Sequence, residues 1–460
     1  MEIEFHGAAR EVTGSCHILR VNGHTVLLDC GLFQGKRSES DEKNRRLPLP
    51  IDQIDAIVLS HAHIDHAGRL PFLVRHGYAK TIWCTAATRD LCNIMLADSA
   101  HIQEKDAEYL SRREKAAVPP LYDMRDAARV AELTVGVPYQ KPFDVVPGVK
   151  ASFVDAGHIL GSASVVLECT EGGTTRRLVF SGDVGRWGLP IIRDPQPPDG
   201  ADVVILESTY GNRDHESVEG AREHLARVVR ETAARGGRIM IPAFAVGRTQ
   251  EIVYDLHALR LAGKIPALPI FIDSPLAIDA TTVFAEHPEV FDQSENLVAT
   301  VDNLFDFERV QYTRKVEESK HLNTINTPII IIAASGMAEN GRIVHHLTNG
   351  ASDPRNTILV VGFMAEHTTG RRIVERQPEL KLFGEMVPLR AQVEILNGYS
   401  AHADRTELLR WLDAVKAHTP ELRDVHLVHG EPEAQDAFAE RLGELGYRAS
   451  CPSPGTRITV

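Results

Sequence analysis

The stretch Ser60-His61-Ala62-His63-Ile64-Asp65-His66-Ala67-Gly68 places three imidazoles and a carboxylate within six positions, directly after the largely apolar run Ile54-Asp55-Ala56-Ile57-Val58-Leu59. The run predicts a buried strand, with the motif forming the turn at its C-terminal end and leading into a helix. His61 and His63 can offer two ring nitrogens to one cation, while Asp65 and His66, further round the turn, face a neighbouring position. Imidazole and carboxylate suit zinc, and a loop pinned between strand and helix holds its ligands rigidly. A polar helix cap would account for Asp65 and leave the three histidines unexplained.

At 460 residues the chain is long enough for two or three domains. A composition of 43% hydrophobic and 25% charged residues is that of a soluble globular protein. The formal net charge of −13 argues against a protein that coats duplex nucleic acid through a broad basic face. A nuclease stays open, because bound divalent metals and a few arginines make a locally positive cleft. The six cysteines, at 16, 30, 84, 92, 169 and 451, contain no Cys-x-x-Cys pair and read as reduced, mostly buried residues of a cytosolic protein. Met1-Glu2-Ile3-Glu4-Phe5-His6 lacks the pattern of a signal peptide, and the longest apolar run, 329–334, is far too short to span a bilayer. A cytoplasmic protein without a membrane partner is expected.

Strands are expected at 2–6, 15–21, 25–29 and 54–59, with Asn22-Gly23 as the hairpin turn between the second and third. Asp29, at the end of a strand, supports the histidines or simply caps the turn before Gly31. Residues 88–131 read as charged helix with a solvated face. Strands resume at 150–156, 164–169, 178–181 and 203–207. Residues 217–235 form an amphipathic helix stopped by Gly236-Gly237, and strands alternate with helices from there to about 390. That alternation implies a mainly parallel sheet covered on both faces, hence a second α/β domain over 209–390 between a first part, 1–208, and a last part, 391–460. In the last part a strand over 392–396 precedes Ser400-Ala401-His402-Ala403-Asp404. Asp404 and Glu407 open a helix as a capping box, and a strand over 425–428 delivers His429.

His61, His63, Asp65, His66, His158, Asp183, Glu207, His402 and His429 all fall at or just after the C-terminal end of an expected strand, the edge where layered α/β folds build their sites. Seven of them suffice for two metals. One takes His61, His63 and His158, the other Asp65, His66 and His429, with Asp183 as the bridge, since a carboxylate has two oxygens to offer. Such a pair activates a shared water and clamps a phosphoryl oxygen.

This pattern resembles the metallo-β-lactamase superfamily: Asp29, then His61-x-His63-x-Asp65-His66, then His158, then Asp183. It is similar more narrowly to the β-CASP branch of nucleic-acid-processing enzymes, and within it to ribonucleases related to the endonuclease subunit of the pre-mRNA 3′-end cleavage machinery. The narrower likeness rests on Glu207 in Leu206-Glu207-Ser208-Thr209-Tyr210-Gly211, on His402, and on His429 in Val428-His429-Gly430-Glu431. Ile241-Pro242-Ala243-Phe244-Ala245-Val246-Gly247-Arg248, Asp273-Ser274-Pro275-Leu276-Ala277 and Ala334-Ser335-Gly336-Met337 resemble loops of the inserted domain. The resemblance implies a metallo-β-lactamase αββα sandwich made of both ends of the chain, an inserted α/β β-CASP domain, a cleft between them and two zinc ions per chain. A histidine at 429 is typical of RNA-processing rather than DNA-processing members. One departure is His367 in Glu366-His367-Thr368, where members commonly carry glycine; it narrows the cleft or is a neutral surface change.

The chemistry so implied is in-line attack by a metal-bridging hydroxide on single-stranded RNA, leaving a 5′ phosphate and a 3′ hydroxyl, as an endonuclease with scope for 5′ exonuclease action. Asp65 orients or deprotonates the water. His402 is the general acid, and Glu207 holds its ring and raises its pKa. Ser335, Gly336, Arg248, Arg371 and Ser400 are candidates to contact substrate, the first two through backbone amides. The competing readings are a thioesterase or lactonase on the same core, a DNA nuclease, and an inactive RNA-binding scaffold. The last typically has a broken ligand set, whereas every ligand position is filled here. A homodimer is compatible with the sequence.

Overall fold

Strand ends decide this fold, because each expected ligand lies where a strand stops. The computed structural model describes residues 1–460 except 48, 116, 293–304, 306, 363 and 365. The chain forms two compact units. One comprises Met1–Trp187, Asp194–Asp214 and His402–Val460, so both ends of the chain build it; the other comprises Gly188–Arg193 and His215–Ala401.

The first unit holds two seven-stranded sheets. One runs in the order Arg457–Thr459, Glu2–Gly7, Cys16–Val21, His24–Leu28, Ala56–Val58, Ile82–Cys84, Thr134–Gly136. The other runs Arg448–Ser450, Asp424–Val428, Val203–Glu207, Thr174–Phe180, Ala163–Glu171, Val149–Asp155, Phe143–Val146. Buried side chains from both sheets form one core, among them Ile3, Phe5, Leu19, Val58, Phe153, Val165, Phe180 and Ile205. Two sheets sharing one apolar core is the packing of a β-sandwich. The far face of the second sheet is covered by helices Arg405–His418 and Pro432–Glu444 through Leu408, Trp411, Leu412 and Phe438. The turn at Asn22-Gly23 closes a two-residue hairpin, Val21 pairing with His24, with φ of 50° and 79° at the two turn residues. Two left-handed residues in succession give the turn whose twist matches the strands. The charged segment after Thr88 is a 29-residue helix, Ala86–Glu114, capped by the Thr85 side chain, followed by Met124–Leu133.

The second unit is built on a six-stranded sheet, Val310–Tyr312, Ile270–Ile272, Ile330–Ala333, Ile239–Pro242, Thr357–Val360, Gln392–Ile395, parallel throughout. Its central strands are apolar and buried on both faces, as a helix-covered parallel sheet requires. Helix Val218–Ala234 starts at Ser217, whose side chain accepts the Gly220 N–H, and the chain leaves it through Gly236 at φ 72°. The strand Gln392–Ile395, which sequence reading grouped with the last part of the chain, pairs in parallel with Thr357–Val360. Its alternating pattern does not reveal which sheet it joins, and the second unit accordingly runs on to Ala401. Among the described residues no helix is long and apolar enough to cross a membrane, and all six cysteines are free thiols.

Candidate metal centre

The histidine turn hangs on Asp29. This residue is fully buried, adopts a left-handed φ of 62°, and follows directly on the strand His24–Leu28. Its carboxylate accepts hydrogen bonds from the Ser60 amide (2.7 Å), the Ser60 hydroxyl (2.9 Å), the Ser15 hydroxyl (3.0 Å) and His66 Nδ1 (2.7 Å). Gly31 lies so close to the motif that a Cβ there would sit 1.6 Å from the Asp65 carbonyl oxygen. Only glycine permits that approach.

His158 sits in a turn after strand Val149–Asp155, its amide and that of Ile159 donating to the Ser162 hydroxyl at 3.0 and 3.2 Å. Asp183 follows strand Thr174–Phe180 through Gly182, with φ 55°. His429 follows strand Asp424–Val428, again left-handed at φ 51°, with its amide donating to the Ala8 carbonyl at 2.7 Å. His402 arrives differently from expectation. The strand before it belongs to the second unit's sheet, and His402 itself lies two residues before Asp404, the cap of helix Arg405–His418.

These loops bring the seven expected ligands into two groups. His61, His63, His158 and Asp183 form one, and Asp65, His66 and His429 the other, each offering ligand atoms within 4.8 Å of one another. In the first, His63 Nδ1 lies 3.1 Å from both His61 Nε2 and His158 Nε2, and Asp183 Oδ2 lies 3.4 Å from each of those two nitrogens. A tetrahedral cation with ligand bonds near 2.0 Å sets its donors ~3.3 Å apart, so these spacings fit one ion. Asp183 Oδ2 is also 3.3 Å from His66 Nε2, and Asp183 Oδ1 is 3.6 Å from His429 Nδ1. Asp65 Oδ2 lies 3.5 Å from His429 Nε2. One carboxylate therefore borders both groups. A third grouping, Asp183, His402 and His429, is also within reach. We favour the first two because His402 Nδ1 is 3.1 Å from Glu207 Oε1 and 3.9 Å from Asp183 Oδ2.

His66 Nε2, His429 Nε2 and Asp183 Oδ1 are buried and find no hydrogen-bond partner among the described residues. Leaving such atoms unsatisfied costs about 1–3 kcal/mol each, and all three border the second group, so the donor set fits a cation there. The electrostatics agree. Burial pushes the His61 ring well below its ordinary value and His63 down to about 4, which keeps both as neutral donors. Burial opposes ionisation of Asp183, yet His429, His66 and His61 outweigh it and hold the carboxyl well below its usual range. Burial likewise works against a charged His66, but Asp183 and Asp29 raise it far above its ordinary value; a cation held by this ring would take the place of that proton.

Glu207, the last residue of strand Val203–Glu207, is fully buried and uses both oxygens. Oε1 accepts the Val184 N–H at 2.8 Å and faces His402 Nδ1; Oε2 accepts the Thr209 hydroxyl at 2.7 Å. Burial lowers the His402 pKa, but Glu207, Asp183 and Asp65 overcome it and the net direction is upward. Ser60 and Thr209, whose hydroxyls touch the ligand rings His61 and His429 at 3.0 Å each, escaped the sequence reading. Each is a small hydroxyl residue two positions past a strand end, close in sequence to a ligand or a buried carboxylate, which is the signal that would find them.

The substrate candidates all lie in the second unit. Ser335 and Gly336 follow strand Ile330–Ala333, the Ser335 hydroxyl accepting the Glu339 N–H at 3.3 Å. Arg248 is only 5% exposed and ion-pairs with Glu251 three residues on along the same helix. Ser400 is 2% exposed. Arg371 stays at the surface, bonded to Glu375 at 2.8 Å. His367 adopts φ 65°, the left-handed region in which glycine is at ease, which is why a glycine suits this position.

Three family models match the chain: the metallo-beta-lactamase superfamily over residues 9–227, the Beta-Casp domain over 249–373, and the Zn-dependent metallo-hydrolase RNA specificity domain over 386–452. The chain is 37% identical over 470 residues to "Ribonuclease TTHA0252" of Thermus thermophilus, with the whole of both chains covered. It is 32% identical over 441 residues to "Transcription termination factor FttA" of Methanosarcina mazei, covering 93% of this chain and 66% of that one. The FttA of Methanocaldococcus jannaschii is 31% identical over 458 residues, covering 97% and 69%. A crystal structure of a protein of unknown function from Enterococcus faecalis superposes over 100% of this chain with a TM-score of 0.55 at 12% identity, a likeness of fold alone. With its discontinuous two-sheet unit, its inserted parallel-sheet unit and its His/Asp cluster, this chain belongs to the β-CASP ribonuclease branch of the metallo-β-lactamase superfamily.

Proposed function

We propose that the chain hydrolyses phosphodiester bonds of single-stranded RNA with two zinc ions, one held by His61, His63 and His158, the other by Asp65, His66 and His429, and Asp183 shared between them. The observation that carries this reading is the position of Asp183, whose Oδ2 lies 3.3–3.4 Å from ring nitrogens of His61, His158 and His66. RNA as substrate is supported by the RNA specificity match over residues 386–452, which spans both His402 and His429.

When bound, the cations favour ionisation of water and neutralise charge on a phosphoryl oxygen. The chain's own groups do the remaining work. Asp65, with a side chain 21% exposed, orients the attacking water or takes its proton. The water oxygen bonds to phosphorus as the bond to the 3′ oxygen breaks. His402 turns Nδ1 to Glu207, so Nε2 delivers a proton to the departing oxygen. The products are a 5′ phosphate and a 3′ hydroxyl. The cleavage is endonucleolytic, with scope for 5′ exonuclease action. The archaeal relatives named for transcription termination are longer than this chain, and the proposal stops at the phosphodiester chemistry.

The test is a matched pair of 5′-labelled single-stranded RNA and DNA oligonucleotides, with a thioester assayed beside them. Cutting of RNA in preference to DNA, with phosphorylated 5′ ends on the products, is the expected result. Thioester turnover without RNA cleavage would instead make the chain a small-molecule hydrolase.

A further inference from the structure

The geometry points to Thr209 as a positioning residue that fixes the tautomer of His429 and ties that ring to the Glu207–His402 pair. The inference rests on the two-zinc reading above and extends it to a residue outside the ligand set.

Thr209 is 4% exposed, two residues past the end of the strand that carries Glu207. Its Oγ1 lies 2.7 Å from Glu207 Oε2, 3.0 Å from His429 Nδ1, 3.0 Å from the His429 carbonyl oxygen and 3.5 Å from His402 Nδ1. A hydroxyl has one proton to give and two lone pairs with which to accept. The carboxylate and the carbonyl can only accept, so the proton goes to one of them, and the shorter, charge-assisted contact to Glu207 takes it. The contact with His429 Nδ1 then has one consistent assignment: the ring donates its Nδ1–H to Thr209. That leaves Nε2 as the lone-pair nitrogen, and Nε2 is buried, without a hydrogen-bond partner among the described residues, 3.5 Å from Asp65 Oδ2. Thr209 thus presents the correct nitrogen of His429 to the second cation.

The first ligand group contains the same device. Ser60 gives its hydroxyl proton to Asp29 at 2.9 Å and faces His61 Nδ1 at 3.0 Å, leaving His61 Nε2 for the cation. A hydroxyl backed by a buried carboxylate sets one imidazole in each group. The Thr209 version has an added consequence, because its carboxylate is Glu207. One oxygen of Glu207 holds the Thr209 hydroxyl and the other faces His402 Nδ1. Removing the hydroxyl therefore loosens a zinc ligand and the partner of the general acid together.

The experiment compares wild type, Thr209→Val, Thr209→Ala and Thr209→Ser as full-length chains loaded with zinc. Zinc per chain and its affinity are read by competition with a chromophoric chelator, turnover is read on single-stranded RNA, and circular dichroism of the chelated proteins reports folding. Valine keeps the shape and removes the oxygen; serine restores it. The expected result is that Thr209→Val and Thr209→Ala weaken one of the two zincs by about 10–100-fold, leave the other unchanged and lower turnover, while Thr209→Ser recovers zinc affinity. Wild-type affinity at both sites in the valine and alanine variants overturns the inference, and so does a serine variant as impaired as valine. Should valine misfold, alanine against serine decides the matter alone. A wild type that binds no second zinc defeats the two-zinc reading as well as the inference; a wild type with two zincs and an unaffected valine variant defeats the inference only.

Discussion

His402 and Asp183 divide the labour of the site at single-residue scale. Asp183 borders both ligand groups, whereas His402 is turned to Glu207, the arrangement that the proposed proton donor requires. His402→Ala is accordingly expected to lower turnover by about 10²–10⁴-fold while zinc content stays at the wild-type level; metal analysis beside single-turnover cleavage checks both halves. The pH dependence follows from the direction of the His402 shift. A general acid works only below its pKa, and the neighbouring carboxylates, against burial, hold this one above 6.5. Glu207→Gln removes the largest upward influence, so the alkaline limb of the pH–rate profile moves to lower pH. A limb unmoved by that change would remove Glu207 from the proton pathway. Much at this scale was legible from the motif itself, because histidines and carboxylates announce themselves by type. Ser60 and Thr209 did not, since a hydroxyl next to a strand end is commonplace and only its distance to an imidazole gives it a role.

Among elements, the turn from the strand Ala56–Val58 into the helix Ile64–Ala67 is held by backbone contact as much as by its side chains. The Gly31 amide donates to the Ser15 carbonyl at 2.9 Å and the Ser15 amide to the Asp65 carbonyl at 2.8 Å. Gly31→Ala puts a methyl 1.6 Å from that same Asp65 oxygen, and the variant is expected to lose zinc and melt earlier, measured by metal analysis and a thermal scan. In the second unit, buried Asp273 accepts from Arg342 at 2.6 Å, from Ser319 at 2.5 Å and pairs with buried His346 at 2.7 Å. Burial raises the Asp273 pKa, and these three partners outweigh it and bring it below 3.8. A carboxylate depressed in the folded state stabilises above its unfolded pKa, and that stabilisation is lost as pH falls through the folded value. Asp273→Asn should therefore cost about 3–5 kcal/mol near neutral pH and little in strong acid, as denaturant melts at two pH values would reveal. Element boundaries were readable where a local signal exists, as with Asn22-Gly23 or the Asp404–Glu407 capping box. The partner sheet of Gln392–Ile395 was not, because strand pairing over long sequence separation leaves no mark in the strand's own residues.

Across the whole molecule, the first unit is assembled from the two ends of the chain, and its ligands come from strands separated by hundreds of residues, from His61 to His429. Cations held in that cluster would act as a clamp on the unit. A ligand held only by the folded state stabilises it by about 4 kcal/mol at a thousandfold excess over its dissociation constant. Chelation should consequently lower the melting transition of the first unit, which calorimetry with and without added zinc would register. The α/β class and the parallel sheet of the second unit were visible in the alternation of strand and helix signals, and its insertion between two parts of one core in the family resemblance. The burial of Arg248 was not, since its 5% exposure and its Glu251 pairing arise from how its helix packs. The most direct measurement is zinc per chain together with RNA cleavage on one preparation of wild type and of Asp183→Asn. Two zincs and RNA cleavage in the wild type, with both zinc affinity and cleavage lost in the variant, is the expected result. A wild type that cuts RNA without bound metal, or a variant that keeps both zincs and full activity, would contradict the metal centre described here.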